Sequence, residues 1–183
     1  QVLTDVLHTK LGSGHEEEKR IIGQIKENVS GLYQGTRDIL WALNPESDFM
    51  MEIGQRLQSL GIDVFQDTGI CFTYENLLGD AENVKLPGNY NRNIMMIFKE
   101  AMSNSLKHSQ ATHVRLKIQK TDLPEILIQL SDDGIGFNSL YIKKGHGFQN
   151  MQKRANRIKA ILSLTSVPGN GTRYDLNIPV TFI

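Results

Sequence analysis

A mixed α+β domain, with helices layered on a largely antiparallel sheet, is the fold class this sequence predicts. Two observations carry that expectation. Helical and strand-like segments alternate without the regular strand–helix–strand repeat of a parallel sheet. Three glycine turns then punctuate the C-terminal half: Asp132-Asp133-Gly134-Ile135-Gly136, Gly145-His146-Gly147, and Gly169-Asn170-Gly171-Thr172. A third observation sets residues 1–46 apart, because they read as helix alone. The predicted division is therefore 1–46, a truncated helical hairpin, and 47–183, the α/β sandwich.

Residues 15–43 read as one long helix. Glu16, Glu17 and Glu18 occupy its first turn, where the helix dipole favours negative charge. Ile22, Ile25, Val29, Leu32, Thr36, Ile39 and Leu43 recur at alternating spacings of three and four, the seam of a helix bundle. Pro45 stops the helix. Val2, Leu3, Val6, Leu7 and Leu11 read as the tail of an earlier helix, broken by Gly12-Ser13-Gly14. One arm with a seam needs partner helices, and a second copy of the chain is the economical source.

Beyond residue 47 the expected elements are a helix over 49–60 ended by Gly61, and short strands over 62–65 and 71–74. A second long helix follows over 90–108, then strands over 113–119 and 125–130. A helix over 148–159 precedes a hairpin of 161–167 and 173–180 around Pro168-Gly169-Asn170-Gly171.

Composition narrows the function classes. Of 183 residues, 39% are apolar and 22% charged, ordinary for a globular protein. Twenty acidic and twenty basic side chains cancel, so net charge advertises no nucleic-acid or membrane surface. The single cysteine excludes an internal disulfide framework and fits a reducing compartment. No apolar run approaches the ~20 residues of a membrane span. The chain opens on Gln1 and reads as a piece of a longer protein.

The chemistry-bearing residues fall on one helix and the glycine turns. On the helix over 90–108, Glu100, Asn104, Lys107 and His108 stand at i, i+4, i+7 and i+8 and share one stripe. A carboxylate, an amide oxygen and an ammonium in a row suit a hydrated Mg²⁺ and the phosphates it bridges, since magnesium keeps waters and takes few protein oxygens. Asp132 closes the apolar run Ile126-Leu127-Ile128-Gln129-Leu130 and offers an acceptor to an exocyclic amine of adenine. Gly134 and Gly136 leave backbone room beside it. Gly145 and Gly147 precede a helix opening near Phe148, whose free amides form an anion site. Lys143 and Lys144 face either phosphate or solvent. Together these features describe a pocket for ATP.

The order and spacing of the motifs resemble the ATP-binding domain of sensor histidine kinases, within the wider gyrase, MutL and histidine kinase ATPase group. Phe98-Lys99-Glu100-Ala101-Met102-Ser103-Asn104-Ser105-Leu106-Lys107-His108 matches the N box. Residues 131–137, 145–158 and 169–172 match the three glycine boxes. The Glu100-Ala101-x-x-Asn104-x-x-Lys107-His108 form and the Met151-x-x-Arg154-Ala155 helix look like the subfamily paired with NarL- or LytR-type response regulators. Thr36-Arg37-Asp38-Ile39-Leu40-Trp41-Ala42-Leu43-Asn44-Pro45 is similar to the end of that subfamily's second dimerisation helix.

The resemblance implies a Bergerat-type two-layer sandwich. It implies that Asp132 reads adenine, Asn104 holds Mg²⁺, Lys107 contacts phosphate, and His108 sits near the base or ribose. Glu100 would position water or accept a proton. Gly134, Gly136, Lys144, Gly145, Gly147, Phe148 and Thr172 would line the nucleotide. It further implies a homodimer, a response-regulator partner, a cytoplasmic kinase portion and a parent sensor at the inner membrane. The alternatives are an anti-sigma-factor-type serine kinase, against which the long helical arm argues, and a catalytically degenerate nucleotide-binding module, against which Glu100, Asn104 and Asp132 argue.

Two departures stand out. Leu7-His8-Thr9-Lys10-Leu11-Gly12 imitates the family's phosphoacceptor run, but Thr9 replaces the acidic neighbour and Gly12-Ser13-Gly14 breaks the helix. His8 is therefore read as surface, with the acceptor histidine upstream, and His15 as helix entry. Lys159-Ala160 stands where relatives usually carry two glycines, which predicts a different helix exit with nucleotide binding kept.

Overall fold

The computed structural model describes residues 20–25, 29, 48–138 and 146–180. Two compact units divide the chain, Gln1–Leu43 and Asn44–Ile183. In the first unit, residues 20–25 and 29 are helical, and the seam positions Ile25 and Val29 are exposed. The rest of the helix expected over 15–43, with His8, His15 and Pro45, lies outside the described residues.

The second unit is built on a five-stranded sheet. Its strands are β1 (Cys71–Leu77), β2 (His113–Lys120), β3 (Glu125–Asp132), β4 (Ile161–Ser166) and β5 (Thr172–Pro179), in spatial order β1-β2-β3-β5-β4. β1 runs parallel to β2, and the other three pairings are antiparallel. Strict alternation places Ile126, Ile128, Leu130 and Asp132 of β3 on one buried face. Thr172, Tyr174, Leu176 and Ile178 of β5 sit beside them in register. The opposite face carries Lys117, Gln129 and Asp175, so the sheet is covered on one side and polar on the other.

Three helices cover the buried face: α1 (Met50–Phe65), α2 (Tyr90–Asn104) and α3 (His146–Arg157). In α2, Ile94, Ile97, Phe98, Ala101 and Met102 are fully buried, the stripe expected of a helix pressed onto a sheet. Burying Phe98 alone stabilises the fold by roughly 2–3 kcal/mol.

Sequence and structure part at α1 and at the end of α2. Gly61 does not end α1, which runs on to Phe65, so residues 62–65 are helix rather than strand. Met50, Ile53, Leu57, Gly61 and Phe65 form one buried stripe. Gly61 is there for closeness, since a Cβ on it would stand 2.1 Å from the Phe72 ring on β1. Phe65 then stacks on Phe72 with centroids 5.6 Å apart. Tertiary packing has overridden glycine's poor helix propensity.

The helix expected over 90–108 is α-helical only to Asn104 and continues as a π turn over Ser105–Ser109, ending at Gln110 with φ 54°. At the hairpin, β4 ends and β5 begins within a residue of expectation. The exit of α3 turns on Lys159. Lys159 itself takes the left-handed conformation at φ 55°, its N–H donates to Asn156 O, and the Ala160 N–H donates to Ala155 O at 3.0 Å. This is the Schellman pattern that glycine usually makes. The helix thus leaves through a glycine-type turn, with a lysine under strain.

Candidate functional site

A cavity of about 800 Å³ opens between α2, the first turn of α3 and the β3-β5-β4 end of the sheet. That is ample for a nucleotide. Of the residues singled out from the sequence, Glu100, Asn104, His108, Asp132, Gly136, Gly147, Phe148 and Thr172 line it. Lys107 is exposed and stands off the lining, and so does the buried Gly134. Lys144 and Gly145 lie outside the described residues.

The π turn accounts for the fate of Lys107. In a π turn each residue advances roughly 80° about the axis rather than the ~100° of an α-helix. Four such steps keep His108 near the Asn104 stripe, while three carry Lys107 away from it. Buried serines hold the turn. Ser109 Oγ donates to Ser105 O at 2.6 Å and accepts the Ala111 N–H at 3.0 Å.

Asp132 sits where a fourth apolar residue would continue Ile126, Ile128 and Leu130, and it is 8% exposed. Its Oδ1 accepts the N–H groups of Gly134 at 3.2 Å and Thr172 at 3.1 Å. Its Oδ2 accepts the Ser105 hydroxyl at 2.7 Å. A carboxylate offers about four acceptor positions. Three are filled by the protein, which leaves one on Oδ2 at the cavity wall.

Its neighbour Asp133 points the other way, as alternation requires. There it accepts the N–H groups of Thr112 and His113, both at 2.8 Å, and the Thr112 hydroxyl at 2.7 Å. These bonds, the His113 amide foremost, hold its carboxyl well below the usual carboxylate range against the opposing effect of burial. Asp133 ties the start of β2 to the end of β3 and takes no part in the cavity.

The glycines divide by role. A Cβ on Gly134 would meet Ser109 O at 2.2 Å, one on Gly136 would meet Val167 O at 2.1 Å, and one on Gly171 would meet Asp132 O at 1.9 Å. The room left by their missing side chains is taken by the protein's own backbone. Gly147 differs: a Cβ there would stand 2.4 Å from Glu100 Oε1, so the carboxylate rests on the first turn of α3.

Several lining residues escaped the sequence reading. Ser105 is a buried polar group on the wall; off the lining, the buried Ser166 Oγ accepts the Phe137 N–H at 2.9 Å while donating to Gly171 O at 2.9 Å. Leu162 and Leu164 supply the apolar floor of β4. Tyr174 lies among them at 5% exposure. Burial pushes its phenol above the ordinary value, a hydrogen bond from the Asn104 amide pulls the other way, and the Asp132 and Glu100 charges add to the rise. A serine on the apolar face of a helix, four residues after Ala101, was the available signal for Ser105.

The donors present suit a ligand-borne cation. Among the described residues no group of three His, Cys, Asp or Glu side chains could hold a metal by itself. Asn104 and Glu100, one turn apart on the cavity wall, fit an ion that arrives with most of its ligands.

Comparison with known proteins agrees with this geometry. The sensor protein VraS of Staphylococcus aureus strain COL is 28% identical over 180 residues, covering 98% of this chain and 49% of that protein. VraS of Staphylococcus haemolyticus is 26% identical over 180 residues, with the same coverage of 98% and 49%. The chain thus spans about half the length of these relatives. Among solved structures, the histidine kinase domain of a blue-light activated histidine kinase from Erythrobacter litoralis superposes with a TM-score of 0.64 at 14% identity, covering 97% of this chain and 90% of that one. Acinetobacter baumannii histidine kinase AdeS gives 0.64 at 13% identity, covering 98% and 92%. The fold is therefore that of histidine kinase catalytic domains, with the Bergerat-type sandwich. Residues 89–181, which carry α2, the π turn, the glycine turns and Asp132, match the model of the histidine kinase-, DNA gyrase B- and HSP90-like ATPases, and the chain belongs to that family.

Proposed function

We propose that this chain is the ATP-binding catalytic part of a two-component sensor histidine kinase, which passes the γ-phosphoryl of Mg-ATP to a histidine and from there to a response regulator. The observation that carries the reading is the single acceptor position left on Asp132 Oδ2 at a cavity of nucleotide size. An adenine amine donates to that position, whereas a base with a carbonyl there sets two acceptors against each other.

The remaining roles follow from placement. The Asn104 amide oxygen would hold Mg²⁺, which when bound neutralises charge across the β- and γ-phosphates. Glu100, one turn before Asn104, takes the proton of the attacking group or orients it. The first-turn amides of α3 face the phosphates beside Gly147 and Phe148. His108 stands near the ribose, and Thr172 holds Asp132 from below. Lys107 and Lys144 contribute positive potential to the approaching triphosphate. The protein's task is positioning and charge neutralisation.

The exposed seam positions Ile25 and Val29 support dimerisation through residues 1–46. The N-box form and the Met151-x-x-Arg154-Ala155 helix favour a NarL- or LytR-type regulator. We place the kinase portion in the cytoplasm and its parent at the inner membrane. Among the described residues no helix is long and apolar enough to cross a membrane.

Calorimetry with ATP, with and without Mg²⁺, tests the assignment. Asp132→Ala is expected to abolish measurable binding in both conditions, and Asn104→Ala to remove the gain from Mg²⁺ alone. Unchanged affinity in both variants would overturn the reading in favour of a degenerate interaction module.

A further inference from the structure

Ser105 occupies the junction of α2 and the π turn, where it is clamped from both sides. Its N–H donates to Ala101 O and Met102 O, and its carbonyl accepts the Ser109 hydroxyl at 2.6 Å. The side chain is 2% exposed, lines the cavity and donates to Asp132 Oδ2 at 2.7 Å. A serine hydroxyl carries one proton, and here that proton is spent on Asp132.

We propose that Ser105 is a specificity-determining residue, which makes the pocket select a purine bearing an exocyclic amine over one bearing a carbonyl. The inference rests on the reading of Asp132 given above. Oδ1 is anchored by two backbone N–H groups, so Ser105 fixes the remaining oxygen and the direction of its one open position. It also occupies the space from which a water would act on both partners. A water has two protons, and placed there it donates one to Asp132 and the other to a base carbonyl, which rescues the wrong base. The hydroxyl cannot do this. Discrimination against an isostere depends on such an unpaired acceptor being left without a rescuer.

The test is calorimetric titration of the 183-residue chain with ADP and with IDP in EDTA, so that no divalent ion enters. Wild type is expected to prefer ADP. Ser105→Ala is expected to lower the ADP-to-IDP affinity ratio about tenfold, with IDP binding held or improved. Ser105→Thr, which keeps the hydroxyl, retains the preference, and the near-isosteric Ser105→Cys behaves like Ser105→Ala. Equal weakening of both nucleotides would show a packing role and overturn the proposal, as would an unchanged ratio. Asp132→Asn separates the two levels, because its amide can donate to a carbonyl and should erase the preference. If Asp132→Asn erases it while Ser105→Ala and Ser105→Cys do not, the role of Ser105 alone fails. If Asp132→Asn keeps the wild-type ratio, the reading of Asp132 fails and the inference with it.

Discussion

Glu100 on α2 rests against Gly147 in the first turn of α3, so close that a Cβ on Gly147 would stand 2.4 Å from the Glu100 carboxylate. A residue proposed to handle the proton is thereby braced against the helix whose amides are proposed to face phosphate. The obstructing atom is the far end of a flexible side chain. Gly147→Ala is therefore expected to displace Glu100 at small cost to the fold, under about 1 kcal/mol in urea denaturation. Phosphoryl transfer, measured with a protein that carries the acceptor histidine, should fall at least tenfold while ATP affinity changes less than threefold, because the group moved acts on the reacting end. Equal losses in binding and turnover would contradict this division.

Gly171 should behave in the opposite way. Its φ is 69° and a Cβ on it would stand 1.9 Å from Asp132 O, a backbone atom that cannot rotate aside. Gly171→Ala must both strain its own backbone and push β3 from β5 at the base of the cavity. The expected destabilisation is about 3 kcal/mol or more, read as a fall in the urea midpoint and accompanied by loss of ATP binding. A variant as stable as wild type would mean that the third glycine turn is looser than described.

Lys159 offers a stabilising change. It holds a left-handed conformation at φ 55° and is exposed. A non-glycine residue pays about 1–2 kcal/mol for that geometry, and the extra freedom of glycine in the unfolded chain offsets part of the relief. Lys159→Gly is thus expected to raise stability by about 0.5–1 kcal/mol with ATP affinity unchanged. A lowered thermal midpoint would refute the Schellman assignment.

Asp133 governs part of the acid response. Its folded carboxyl lies below the ordinary value of 3.8, so it contributes stability above that value, and the contribution drains away as pH falls from about 4 toward and below 2. The side chain is 45% exposed, so water screens the group and the contribution is about 1 kcal/mol rather than the full amount. Asp133→Asn should lower stability at pH 7 by that amount and flatten the acid limb of a stability–pH profile. Parallel profiles for wild type and variant would exclude the role.

Much of the site was already legible in the residues. Alternation of Ile126, Ile128 and Leu130 put Asp132 on the buried face of a strand, because side-chain direction in a strand is a local property. The placing of Glu100 and Asn104 one turn apart was equally local, as was the need for glycine after Asp132. What the tertiary structure decided is non-local. Gly61 lies inside a helix because the Phe72 ring covers it. Lys107 leaves the cavity because a π turn forms where buried serines meet β3. Ser105 reaches Asp132 across 27 residues of chain, a pairing no spacing announces. Periodicity reports which face a side chain takes, whereas the partner waiting at that face is set by how the elements pack.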